Sequence, residues 1–568
     1  MPARPEVAQT QAPAATSQPA SPPTAVRPEL ETAPAPPLPP LELTRQLLYQ
    51  FLLAEIASQR GELAVASQAY LDLAKKTRDV RIAQRATEIA VYARRSSDAL
   101  EAAQLWLALD PRAERARQTV AALLVNSGRL EEAKPHLQKL LADEGDQVGQ
   151  GFLQLNNLLA RHPDKAAVFR LTRELAQPYP NVVEARFAVA QAAANAGARE
   201  AALAEVRVAR SLKPDWGLAV LLEAQLVRQG SPAEALKVYR DYLAQYPKAR
   251  DVRLAYARAL VSERQYADAR KQFETVLAEH PRNAEVLVAV GLLAMQLKDY
   301  DAAAGYLAQA LELDDQDKDS VRLFLGQLEE ERKRYERAAA WYLSVGKGQY
   351  QLQAQVRYAG VLAKQGKLEQ GRAYLRQVAA ENPAQEVQLI LAEAQLLREA
   401  GAYREAFDLL SRALDRMPDN PDLLYDHAMA AEKLDRLDIL EKNLRTLIRL
   451  KPDHAHAYNA LGYTFADRNQ RLEEARRLIE KALELSPDDP FILDSMGWVE
   501  YRLGRTRQGL DYLQRAYSLR PDPEIAAHLG EVLWVLGRRE EARKVWDSAL
   551  SEHPDNKVLL DVVRKFTH

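Results

Sequence analysis

Between Ala460 and Pro487 the chain reads ALGYTFADRNQRLEEARRLIEKALELSP, with apolar positions in two helical stripes joined by a polar turn. Leu461, Gly462 and Phe465 belong to a first helix. Ala475, Ile479 and Ala482, at i, i+4 and i+7, form the buried stripe of a second. A glycine inside a helix costs about 1 kcal/mol relative to alanine, so Gly462 is expected where the second helix approaches closely enough to offset that cost. Ser486 precedes Pro487, is biased out of the α region and ends the second helix. The Asp-Asp that follows supplies turn and N-cap chemistry for the next helix.

The pattern recurs. Prolines at 383, 418, 452, 487, 521 and 554 are separated by 35, 34, 35, 34 and 33 residues, and those at 180, 214, 247 and 281 by 34, 33 and 34. Pro281 to Pro383 is 102 residues, three periods, and Pro111 to Pro180 is 69, about two. Small and apolar landmarks keep step with them: Gly530, Ala542, Trp546 and Ala549; Gly401, Ala406, Leu410 and Ala413; Gly128, Ala133 and Leu137. A period of about 34 residues is the signature of the tetratricopeptide repeat (TPR). The predicted fold class is therefore all-α, a TPR solenoid wound as a right-handed superhelix of about fifteen helix-turn-helix repeats.

Three regions follow. Residues 1–41 form a Pro/Ala-rich tether: residues 1–40 hold 12 of the 30 prolines, a composition that cannot bury enough apolar surface to order itself. Residues 42–180 read as more degenerate repeats, least regular around ADEGDQVGQGFLQLNNLLARHPDK (142–165), where a bend in the array is expected and the repeat count over 142–180 is open. Residues 181–568 read as a regular array closed by a capping helix, with Val558, Leu559, Val562, Val563 and Phe566 on its apolar face.

Composition then removes most chemistry. Lys+Arg is 77 against Asp+Glu 79, a net charge of -2, which gives no pull toward nucleic acid or an anionic membrane. The absence of cysteine removes disulfides, thiol nucleophiles and thiolate metal sites. No apolar run is long enough for a membrane span, and Met1-Pro2-Ala3-Arg4 leads into no apolar segment, so no signal peptide is expected in this chain. GVLAKQGKL (360–368) has five residues between its glycines and Leu368 where a phosphate loop has Ser or Thr, so Gly366 is read as a turn glycine. His454 and His456, two apart on a helix, do not face each other and lack partner ligands. No catalytic residue, cofactor or metal site is predicted, and the protein is read as a non-enzyme.

What remains is binding. The i, i+4, i+7 face of the first helix in successive C-terminal repeats carries Tyr425, then Asn459 and Tyr463, then Asp494, Trp498 and Tyr501, then Trp534. Aromatic anchors interleaved with amide and carboxylate groups suit a polypeptide client; the competing reading is that these rings fill space between helices. At the other end, LLYQFLLAEIA (47–57) is apolar over about two thirds of its circumference at 100° per residue, with no earlier repeat to cover it. Leu48, Phe51, Leu52 and Ile56 are the candidate docking residues there; the competing reading buries them under the second repeat or the tail.

The C-terminal run from ALGYTFADRNQRLEEARRLIE to WDSALSEHPDN, with the opening LLYQFLLAEIASQRGELAVASQAYLDLAKKTRDVRIAQRATEIAVYARR, resembles the TPR outer-membrane lipoproteins of Gram-negative bacteria. The likeness is to the lipoprotein partner of a periplasmic carboxyl-terminal processing protease and covers residues 41–568. It implies an adaptor that binds the serine protease and delivers peptidoglycan hydrolases, the cell-wall cross-link hydrolases, for degradation. It also implies a periplasmic location and outer-membrane anchoring through an N-terminal lipid, although the lipid-bearing cysteine of that family is absent from this sequence. A scaffold for another envelope complex, such as polysaccharide export machinery, is the alternative.

Overall fold

The computed structural model describes residues 41–313 and 317–567. Apart from Leu41, the expected tether lies outside the described residues. Among the described residues there are thirty-one α-helices, one 3-10 turn and no strand. Taken two at a time in chain order, they run from α1 (Arg45–Gln59) and α2 (Leu63–Thr77) to α29 (Pro523–Val535) and α30 (Arg539–Glu552), although α7 (Val148–Leu159) packs on α9 (Val183–Asn195) rather than on α8 (Lys165–Ala176). That makes fifteen pairs, with α31 (Lys557–Thr567) left over. The described residues divide into two units, with the boundary between Tyr256 and Ala257.

In the first unit, small residues carry the helix crossings: Ala54, Ala66, Ala74, Ala83 and Ala86 are fully buried. The irregular stretch is a tight connection. Here α6 (Leu130–Asp143) runs through the 3-10 turn Gly145–Gln147 directly into α7 (Val148–Leu159). A Cβ on Gly151 would come within 3.1 Å of the Leu141 side chain and 3.3 Å of the Glu144 side chain, so the turn that folds α7 back on α6 leaves little room for a side chain there.

In the second unit the opening segment folds as α25 (Ala455–Asp467) and α26 (Leu472–Leu485). Ala475, Ile479 and Ala482 have no exposure, as the stripe predicts. A Cβ on Gly462 would lie 2.6 Å from Ile479 Cγ1 and 2.9 Å from the Ala475 carbonyl. The contact recurs one period on, where a Cβ on Gly497 of α27 (Pro490–Arg502) would lie 2.6 Å from Leu513 and 2.9 Å from the Gly509 carbonyl of α28 (Thr506–Leu519). At Gly530 the obstacle is the indole ring of Trp546, into which that Cβ would run.

Most periodic prolines follow the second helix of a pair, as Pro487 follows α26 and Pro554 follows α30. Pro383 does not. The helix before it, α20 (Leu368–Gln377), ends early, and Pro383 opens α21 (Pro383–Glu399), a position where the missing N–H has no intrahelical partner to lose. In α31, Leu559 is buried and Phe566 packs on Trp546, but Val558, assigned to the apolar face, is 46% exposed.

Glycines that hold the crossings should behave oppositely from one that does not. Gly530→Ala should destabilise the C-terminal repeats by about 1–3 kcal/mol through overpacking. Gly305 lies inside α16 (Tyr300–Leu311) with nothing within 4 Å of a Cβ, so Gly305→Ala should stabilise by about 0.5–1 kcal/mol. Urea unfolding followed by circular dichroism checks both.

Candidate binding surfaces

At the N-terminal end α1 turns its small side chains inward. Ala54 and Ala57 are its buried residues, packed toward α2. The large ones face out: Leu48 is 44% exposed, Phe51 42%, Leu52 48% and Ile56 47%, with Tyr49 and Leu53 beside them. At 100° per residue these six cover an arc of about 200°. The helix is anchored by its N-cap, Thr44 accepting from the Leu47 N–H at 3.2 Å, and by the Tyr70 hydroxyl of α2 donating to Glu55. Burial and that carboxylate push the Tyr70 hydroxyl up to about 12. Beside the arc, Leu53 and Val65 border a groove of about 460 Å³.

The C-terminal face divides. Its first members stand partly open on helices α23 (Pro421–Lys433) and α25: Tyr425, Asn459 and Tyr463 are all half-buried. Tyr425 packs 5.5 Å from the ring of His454, and His454 itself caps α25, its Nδ1 accepting from the Ala457 N–H at 3.1 Å. The Asn459 Oδ1 is buried without a partner. Burial pushes the Tyr463 hydroxyl well above the usual phenol range.

Two of the later members are interior. Asp494 is 6% exposed and Trp498 5%, so neither is an open groove anchor, which corrects the ladder read from spacing. Both serve a group the spacing missed. The imidazole of His528, one repeat on, donates through Nδ1 to Asp494 Oδ2 at 2.9 Å, and the Trp498 indole stacks on it at 4.2 Å. Tyr501, half-buried, donates to Glu531 Oε1 at 3.3 Å. Trp534 packs against Trp546 and Phe566 at 5.7 and 6.3 Å, between the last repeat and α31. The physical reason is that helical spacing does not decide whether a face meets solvent or the next repeat, and here the Trp498 ring is covered by His528 of that repeat. The signal for His528 was present: it lies 34 residues after Asp494, one full period.

Burial disfavours the charged His528 ring, but the Asp494 carboxylate, with Asp467 and Glu524, outweighs it and raises the pKa above the ordinary 6.5. His427 is the opposite case. Its ring is bonded to Asn443 and to Ser411 Oγ, both at 2.8 Å, and burial pushes it down to about 4.

The GVLAKQGKL segment makes no phosphate loop. Residues 360–364 lie within α19 (Gln351–Lys364), and Gly366 is a turn glycine with φ +79°.

The family profiles and a bacterial relative carry the same repeat. The tetratricopeptide-repeat profiles match residues 226–293, 284–317, 359–421, 425–490 and 495–557. The TPR repeat-containing protein PA4667 of Pseudomonas aeruginosa is 35% identical over 484 residues, 85% of this chain and 82% of that protein. RNA polymerase II-associated protein 3 of Mus musculus is 36% identical over 90 residues, 16% of this chain and 13% of that one. Among solved structures, a thermophilic TPR protein of Thermus thermophilus is 27% identical, with a TM-score of 0.29 over 32% of this chain and 96% of that one.

The two histidines should give stability opposite pH slopes. A raised folded pKa means that His528 stabilises fully below about 6.5 and loses that contribution as pH rises through its folded value. A depressed one means that His427 contributes fully above about 6.5 and loses on the order of 2–3 kcal/mol as pH falls toward 4. Melting temperatures across pH for His528→Gln and His427→Gln should each flatten one limb of the wild-type profile.

Proposed function

The chain belongs to the tetratricopeptide-repeat family, and on that premise we propose that it is the adaptor of a periplasmic carboxyl-terminal processing serine protease, bringing peptidoglycan hydrolases to it for degradation. The repeats make it a protein-interaction scaffold, and its proposed role is non-catalytic. The observation that carries the reading is the apolar arc of α1. Contiguous exposed apolar side chains of this kind mark protein contact sites, and here they lie on the first helix of the array. Holding enzyme and substrate on one scaffold makes their encounter intramolecular, which raises effective concentration without new catalytic groups. We further propose that the native protein works in the periplasm, held at the outer membrane by an N-terminal lipid.

The arc is uncharged over Leu48, Phe51, Leu52 and Ile56, so its contribution to binding would be hydrophobic. Introducing charge tests this without touching the core. Phe51→Asp combined with Ile56→Asp should lower affinity for the purified protease at least tenfold and abolish stimulation of hydrolase cleavage, with the melting temperature unchanged. Wild-type binding and stimulation by that double variant would refute the docking assignment.

A further inference from the structure

Leu48, Tyr49, Phe51, Leu52, Leu53 and Ile56 on the outer side of α1 are each more than a third exposed, Tyr49 at 67%. The groove at their flank is walled by Leu53, Val65 and Ala69, with the amides of Gln50 and Gln68 on it. Gln50 accepts from Lys76 through Oε1 at 3.1 Å, and Gln68 donates one of its two side-chain N–H groups to Asp72 at 3.2 Å. Each amide therefore keeps an N–H to offer. The charges on the groove are already engaged, Asp72 by Gln68 and Arg95 by Asp98. What this side of α1 presents is apolar area, two aromatic rings and a few hydrogen-bond donors.

The chain just before it has the complementary chemistry. Residues 32–41 read TAPAPPLPPL, ten positions without a charge, and residues 34–40 hold five prolines in seven. A proline has a carbonyl but no N–H, so such a segment offers acceptors and apolar rings and almost no donors. Proline-rich segments are held by aromatic surfaces carrying N–H donors for that reason. The lengths also agree. In the extended form that proline favours, seven residues span about 22 Å, and the fifteen residues of α1 span about 22 Å. Residues 41–44 alone separate the two, and four residues are enough for a chain reversal.

We propose that residues 34–40 fold back along the outer side of α1, so that the free protein carries its own occupant on the apolar arc. A connection this short holds the segment at a local concentration of millimolar order. A contact too weak to persist between separate molecules is then populated, and a second copy arriving from solution competes at a disadvantage. The consequence for function rests on the reading of the arc as the protease-docking surface. A protease must displace the segment, and its apparent affinity is lowered by the fraction of chains in which the arc is uncovered. The same cover keeps a sticky patch from other surfaces.

The chain has no cysteine, so spin labels can be placed specifically in the full-length protein. Nitroxides on Ala35→Cys and Gln59→Cys are read by double electron–electron resonance, with excess unlabelled protein. Laid along α1, residue 35 comes beside the end of that helix, so a narrow population at less than about 25 Å is expected. Phe51→Asp combined with Ile56→Asp should replace it with a broad, longer distribution. So should serine in place of Pro34, Pro36, Pro37, Pro39 and Pro40, a change outside the repeats that leaves their folding untouched. A broad distribution in the parent protein, a short distance that survives both sets of substitutions, or one that vanishes on dilution with unlabelled chains would overturn the proposal. The measurement contains no protease, so its failure leaves docking at α1 standing. In a separate titration the proline-free variant should bind the purified protease about three- to tenfold more tightly than the parent. An unchanged affinity, with the short distance lost, would count against docking at the arc and not against the tail contact.

Discussion

The two helices of the C-terminal repeats cross at a point that admits no side chain, and much of the architecture depends on that contact. At Gly462, Gly497 and Gly530 an added Cβ would run into the facing helix. A helical glycine is unfavourable by about 1 kcal/mol. Close approach offsets this by letting Ile479, Leu513 and Trp546 fill the space completely, each of them 1% exposed or less. With the first helix held so near the second, its remaining faces are left for the neighbouring repeat and the groove.

A repeat of this kind contacts only its neighbours, so burial depends on position. Ile492–Glu500 in α27 and Ile525–Leu533 in α29 are buried without interruption, because each helix has partners on every side. Among the described residues, α1 has a partner on one side only. It presents Ala54 and Ala57 to that partner and leaves six large apolar residues outside. The same sequence style that makes an interior helix therefore leaves an exposed apolar face on α1.

The period was legible because prolines and glycines act through the backbone, and backbone constraints do not depend on what lies across the fold. Gly462 and the Ala475–Ile479–Ala482 stripe could be placed for that reason. Side-chain destinations were less legible. Helical spacing puts Tyr425, Tyr463 and Trp498 on one face, but does not decide whether that face meets solvent or the next helix. Trp498 is buried against His528, a ring 30 positions later in sequence and one repeat away in space, which its own spacing does not reveal. Pro383 misled differently: a proline ends one helix or begins another with equal ease, and only the early stop of α20 at Gln377 decides which.

Charge has a defined place in this scheme. Glu223 is paired with Arg207 and Arg210, Glu393 with Arg372 and Arg376, and Glu500 with Arg476 and Arg505. Each carboxylate is on the first helix of a repeat, nearly buried, and meets at least one arginine from the second helix of the repeat before it. Removing both arginines from such a carboxylate leaves a buried charge uncompensated at a cost of about 3–5 kcal/mol, whereas the intact cluster adds little net stability. Its consequence is register, since a repeat displaced along its neighbour would strand the carboxylate. Charges committed between repeats are not available to a ligand. The docking proposed at the apolar arc of α1 would depend on shape and burial, which salt screens little, rather than on long-range attraction, which salt removes. A chain with a net charge of -2 over 568 residues is matched to that mode of binding.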